Sequence, residues 1–90
     1  MLFEWDIEKA AQNLRKHRVS FEDASSVFGD PLAIMFRDPD HSSGEVRFLT
    51  FGLALSGAIL VVSHTARGGR IRLISARRAT RAERKIYEEG

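Results

Sequence analysis

The sequence predicts an α+β fold: two N-terminal helices, a four-stranded antiparallel meander and a C-terminal helix, with the helices packed on one face of the sheet. Three observations predict it. Apolar residues recur at helical spacing over residues 7–14 and again over 21–28. Between Leu32 and Ala76 the pattern changes to short strand-like runs separated by turn residues. Thr80 and Glu83 then form the T-x-x-E pattern that starts a helix.

The 90 residues fit one domain spanning 1–90, with a core that is adequate but not generous. Hydrophobic residues at 43% and charged residues at 29% are ordinary globular values and argue against wholesale disorder. The absence of cysteine removes disulfides, thiolate nucleophiles and cysteine metal sites together, and fits a reducing cytoplasm. The N-terminus MLFEWDIEK lacks the basic and apolar regions of a secretory signal. The apolar stretch Phe48 to Val62 is interrupted by Gly52, Ser56 and Gly57 and is too short to span a bilayer. The expectation is therefore a cytoplasmic protein with no membrane association.

Taking the chain in order, Phe3-Glu4-Trp5 alternates as an edge strand or an anchor would. Asp6 reads as an N-cap, and Ile7, Ala10, Ala11 and Leu14 form one apolar stripe on a helix ending near His17. Lys9, Arg15 and Lys16 lie off that stripe. Ser20 opens a second helix with Phe21, Ala24, Val27 and Phe28 on its apolar side, and Gly29-Asp30-Pro31 stops it. Leu32 to Phe36 is a short strand, and Asp38 to Glu45 a loop by composition. Phe48 to Leu55 and Ala58 to Thr65 pair through Ser56-Gly57; Arg70 to Ala76 returns after Gly68-Gly69, where both glycines allow the positive φ of a primed turn.

Charge is distributed unevenly along this framework. Residues 1–45 carry a net −4 and residues 46–90 a net +6. Between His64 and Lys85, seven arginines and one lysine meet a single acid, Glu83, which points to an anionic partner. With a two-residue turn, His64 faces Leu73, and strict alternation puts Leu60, Val62, His64, Ile71, Leu73, Ser75 and Arg77 on one side. Arg70, Arg72, Ser63 and Thr65 then occupy the other. A three-residue turn brings His64 beside Arg72 instead. His64 is a core histidine or a proton-transfer group whose neighbouring cations favour its neutral form. Arg77 and Arg78 adjoin a helix start, where anions are favoured, and Arg81, Arg84 and Lys85 continue the basic surface. Tyr87 is a packing residue, a stacking platform for a base, or a proton donor.

His17 and His41 read as surface histidines. Asp38, Asp40, His41 and Glu45 match no established metal-ligand spacing, so neither a metal nor another cofactor is expected. No P-loop, dinucleotide fingerprint, G-x-S-x-G or H-E-x-x-H is present. Metal-independent RNA cleavage needs a base for the 2′-hydroxyl, a donor for the 5′-oxygen and cations around the phosphorane. His64, Tyr87 and the arginines cover those roles.

F-E-W-D at 3–6, N-x-x-K-H-x-V-S-F from Asn13 to Phe21, H-T-x-R-G-x-x-I-R-x-I-S-A-R from His64 to Arg77 and A-T-x-x-E-x-x-x-Y from Ala79 to Tyr87 resemble the BrnT family. The likeness extends over nearly the whole chain. It implies a RelE-like fold and a bacterial type II ribonuclease toxin that arrests translation. It also implies neutralisation by a BrnA-like ribbon-helix-helix antitoxin, in a heterotetramer that reaches operator DNA through the antitoxin. His64, Arg67, Arg77 and Tyr87 are the matching catalytic positions; Arg72, Arg78, Arg81, Arg84 and Lys85 are the RNA-binding ones. Ile7 stands where the family usually has proline, and Arg18 where it has glycine. The alternative is a non-catalytic module whose basic face docks RNA or an acidic protein.

Overall fold

The computed structural model describes residues 1–39 and 44–90. Strand β1 (Phe3–Glu4) leads into α1 (Ile7–His17), followed by α2 (Phe21–Ser25) and a 3-10 turn (Ser26–Gly29). Strands β2 (Ile34–Arg37), β3 (Phe48–Leu53), β4 (Ile59–Arg67) and β5 (Arg70–Arg78) precede α3 (Arg81–Glu89).

The helix starts and stops obey local chemistry. Asp6 Oδ1 accepts the Glu8 and Lys9 amides, at 2.8 and 3.3 Å, to start α1. Arg18 ends it with φ 60°, its amide donating to the Leu14 carbonyl. The chain therefore makes the left-handed stop usually given to glycine, using an arginine that lacks glycine's conformational freedom. Ser20 accepts the Asp23 amide at the start of α2. In α3 the capping box is complete: Thr80 accepts the Glu83 amide, and the Glu83 carboxylate accepts the Thr80 amide.

The four consecutive strands β2 to β5 do form an antiparallel meander, but the sheet has five strands and is mixed. Its order is β1-β5-β4-β3-β2, with β1 parallel to β5. The edge-strand reading of Phe3–Glu4 thus holds, and it corrects the four-stranded sheet. The two-residue turn also holds: Gly68 and Gly69 have φ 58° and 78°, Arg67 pairs with Arg70, and His64 pairs with Leu73.

Strict alternation along β5 does not hold. Ser63 pairs with Ser75 while His64 pairs with Leu73, so Ile74 is an extra residue in a bulge. Beyond it, Ala76 and Arg78 share the side of Leu60 and Val62; Ser75 and Arg77 share the opposite side with Ser63, Val61 and Arg72. The predicted common side for His64, Ser75 and Arg77 is corrected by this one inserted residue.

The helices also cover both faces rather than one. Leu60, Val62, Leu73 and Ala76 pack with Val19 of the α1–α2 connection, Phe21 and Ala24 of α2 and Val27 of the 3-10 turn. Gly52 admits that approach, since a Cβ there would lie 3.0 Å from Val27 Cβ and 3.2 Å from its carbonyl oxygen. On the other face, α3 holds Arg77 through Glu83 and contacts β3. Val61 and Phe51, which pair with each other, are only 3% and 6% exposed there. A central strand covered on both sides explains the unbroken apolar run at 60–62.

Asn13 joins the layers. Its Nδ2 donates to the carbonyls of Val19 and Ala76, at 2.9 and 2.8 Å, and its Oδ1 accepts the Ala76 amide at 3.0 Å. Past the two residues paired with β1, this amide takes the place of a neighbouring strand for Ala76.

Candidate functional site

The bulge gathers Arg70, Arg72, Ser75 and Arg77 on one side of β5, with Arg67 of β4 beside Arg70. Three of these arginines carry acidic partners. Arg67 donates to Glu45 at 3.0 Å, and Arg72 to Glu4 at 2.8 Å. Arg77 forms a two-pronged pair with Glu83, Nη1 and Nη2 reaching the two carboxylate oxygens at 2.7 and 2.8 Å. That guanidinium holds the Glu83 carboxyl well below its ordinary range, at about 2, and the carboxylate in turn raises Arg77.

Arg70, Arg78, Arg81, Arg84 and Lys85 make no ion pair with a described residue and are exposed. Arg78 and Arg84 meet across a cleft of about 260 Å³ walled by Leu53, Gly57, Ala58 and Ile59. Arg81, Arg84 and Lys85 line a second, shallower depression of α3 with Glu88. Of the expected RNA-binding set, Arg78, Arg81, Arg84 and Lys85 thus carry no acidic partner among the described residues, whereas Arg72 is paired with Glu4.

His64 lies elsewhere. It is on the side covered by the N-terminal helices, 5% exposed, edge-on to Phe28 and stacked on Phe48, and its Nε2 is hydrogen-bonded to the Thr50 hydroxyl at 2.7 Å. Burial lowers its pKa to about 4, so the expected neutral form is present, but desolvation and not the arginines causes it. The structure does not bring His64 together with Arg67 and Arg77.

Tyr87 is half-buried, and its hydroxyl donates to Asp30 Oδ2 at 2.5 Å. Bonding to that carboxylate pushes the phenol up to about 12. Partial desolvation raises the Asp30 carboxyl, but the bonds from Tyr87, Leu53 and Leu32 outweigh it and hold it below the usual range. Asp30 was legible only as a helix stop. Its link to Tyr87 spans 57 positions and has no local signature. Glu4 and Glu45 were read only as part of an edge strand and of the weighed metal set, and their pairing with Arg72 and Arg67 had no local signature either.

Asp40 and His41, half of the weighed metal set, lie outside the described residues. Among the described residues no group of three or more His, Asp or Glu side chains could hold a metal ion. No helix among them is long and apolar enough to cross a membrane.

Fold and surface together define a class: a small α+β protein with helices on both faces of a mixed sheet and a cluster of free guanidinium groups at the junction of its last strand and helix. The family model described as the ribonuclease toxin BrnT of type II toxin–antitoxin systems matches residues 5–83, and the chain belongs to that family. The crystal structure of the Brucella abortus ribonuclease toxin BrnT is similar to it, with a TM-score of 0.68 at 22% identity. That similarity covers 90% of this chain and 100% of the other. Among curated proteins no match was found. The family match ends at Glu83, so Tyr87 lies beyond it.

Proposed function

We propose that the protein is a metal-independent endoribonuclease that arrests translation, with its phosphate-binding centre at Arg77 and its RNA path over Arg78, Arg81, Arg84 and Lys85. The observation that carries this reading is the bulge at Ile74, which puts Arg72 and Arg77 on one side of β5 and Arg78 at the mouth of the cleft with Arg84. Such forks are suited to a phosphorane, whose negative charge grows as the 2′-oxygen attacks and the 5′-oxygen leaves. Arg77 sits in a charge-assisted pair that RNA phosphate would have to share with, or take from, Glu83. In this reading His64 is a packing and positioning group, because a ring sealed between Phe28 and Phe48 does not reach a substrate. Arg67 and Arg72 hold the backbone, and Tyr87 contributes its ring or, once released from Asp30, its proton.

The purified protein should cleave RNA in the presence of chelator, free or on ribosomes, and Arg77→Ala should reduce the rate by roughly two to three orders of magnitude. A wild-type protein inert on every RNA under those conditions would sink the proposal. The partner in this reading is a ribbon-helix-helix antitoxin, joined in a heterotetramer that carries any operator binding. Co-expression with it should relieve growth arrest.

One observation favours the second reading, a non-catalytic docking module. His64 is buried and the Tyr87 hydroxyl is occupied by Asp30, so neither stands open beside Arg77. Expression alone separates the two: a catalytic toxin stops growth, whereas a docking module is tolerated.

A further inference from the structure

The edge of β5 that runs along α1 carries a further basic cleft. Lys9, Gln12, Lys16 and His17 of α1 and Ile74 and Ser75 of β5 enclose about 240 Å³, with Asn13 also in the lining. No carboxylate lines it. Asn13 is committed, since its amide is spent on Val19 and Ala76. Lys9 and Lys16 are exposed and, like His17, make no ion pair with a described residue.

Helix electrostatics account for part of this set only. Lys16 and His17 stand in the last turn of α1, where cations offset the partial negative charge of the helix end. Lys9 stands in the first turn, where a cation is unfavourable. Its position is explained by its place in line with Gln12 and Lys16, three and four residues apart along one side of the helix. The bulge makes the opposite wall: the extra residue, Ile74, and its neighbour Ser75 face α1 across the cleft. Ser75 and Arg77 share one side of the strand, about 7 Å apart along it.

We propose that this cleft is a phosphate subsite that holds the RNA backbone beside the Arg77 centre, with Lys9 and Lys16 as its charges and Gln12, His17 and Ser75 as hydrogen-bonding partners. The inference rests on the RNA reading above and extends the path onto α1. A chain of phosphodiesters fits better than an isolated anion, because Ser75 in the cleft wall stands two residues from Arg77 on the same side of β5.

The test uses single-stranded RNA bearing 2′-O-methyl groups, which removes the nucleophile and leaves binding alone to be measured. The Lys9→Ala/Lys16→Ala double variant should keep the wild-type melting temperature, because both side chains are exposed. Its affinity should fall roughly tenfold at low salt, and the slope of log affinity against log salt should shrink by about 1.4, the loss of two phosphate contacts. The Ser75 and His17 amide resonances of the wild type should move on RNA addition. If the wild type binds RNA and the variant matches it in affinity and slope, the subsite is overturned while the RNA reading survives. If the variant keeps RNA but loses the antitoxin, the cleft belongs to a protein and the proposal is equally overturned. Failure of the wild type to bind RNA at all would remove both readings.

Discussion

The Nε2 of His64 lies 2.7 Å from the Thr50 hydroxyl, and burial keeps the ring neutral down to a pKa of about 4. Once unfolded, the imidazole titrates near its ordinary 6.5. Between those values the unfolded chain takes up a proton that the folded chain refuses. The stability contribution is therefore complete above pH 6.5 and is lost as pH falls toward 4, by up to about 3 kcal/mol. Glu83, held low by Arg77, acts in a lower window, losing its contribution from about 4.5 toward 2. Thermal melts from pH 7.5 to 4 should fall in that upper range for the wild type, and His64→Gln should flatten the decline. Identical slopes for the two proteins would show that another group governs it. Sequence offered both a core and a proton-transfer role for this histidine. The deciding contacts come from Phe28 and Phe48, on separate elements, and cannot be seen along the chain.

Elements were more legible than single side chains, because their signals are local. The caps at Asp6, Ser20 and Thr80 and the Gly68-Gly69 turn all fall where composition put them. Arg18 is instructive: among the described residues it is the one non-glycine with positive φ. Replacing it by glycine removes the steric cost of that conformation but loosens the unfolded chain. Arg18→Gly should therefore gain roughly 0.5–1 kcal/mol in urea unfolding, and a loss would mean that the arginine side chain itself stabilises the stop. Asn13 works in the opposite direction. Asn13→Ala strands the buried Ala76 amide and carbonyl, and should cost about 3 kcal/mol by the same measurement. The bulge was the element-level feature missed. Ile74 fits an apolar strand as well as its neighbours do, and only the pairing with β4 reveals that one residue is left over.

For the whole molecule, the informative quantity is how charge is disposed, not its total of +2. The polarity between the two halves was plain in the sequence. The division of labour within the basic half was not, because Arg67 and Arg72 are neutralised by Glu45 and Glu4, which come from the acidic half. The cations left without partners are those expected to release counterions when RNA binds. Replacing Arg81, Arg84 and Lys85 together by alanine should reduce the salt slope of RNA binding by about 2, at 0.7 per lost phosphate contact. The corresponding change at Arg67 and Arg72 should reduce it less. Equal losses would mean that the intramolecular pairs open freely.

The parallel pairing of β1 with β5 joins residue 3 to residue 71. During synthesis the first strand leaves the ribosome long before its hydrogen-bonding neighbour exists, so the sheet margin beside the arginines closes only after residues 70–78 have emerged. The pairing that completes this margin is therefore among the most distant in sequence that the sheet makes, and it forms late.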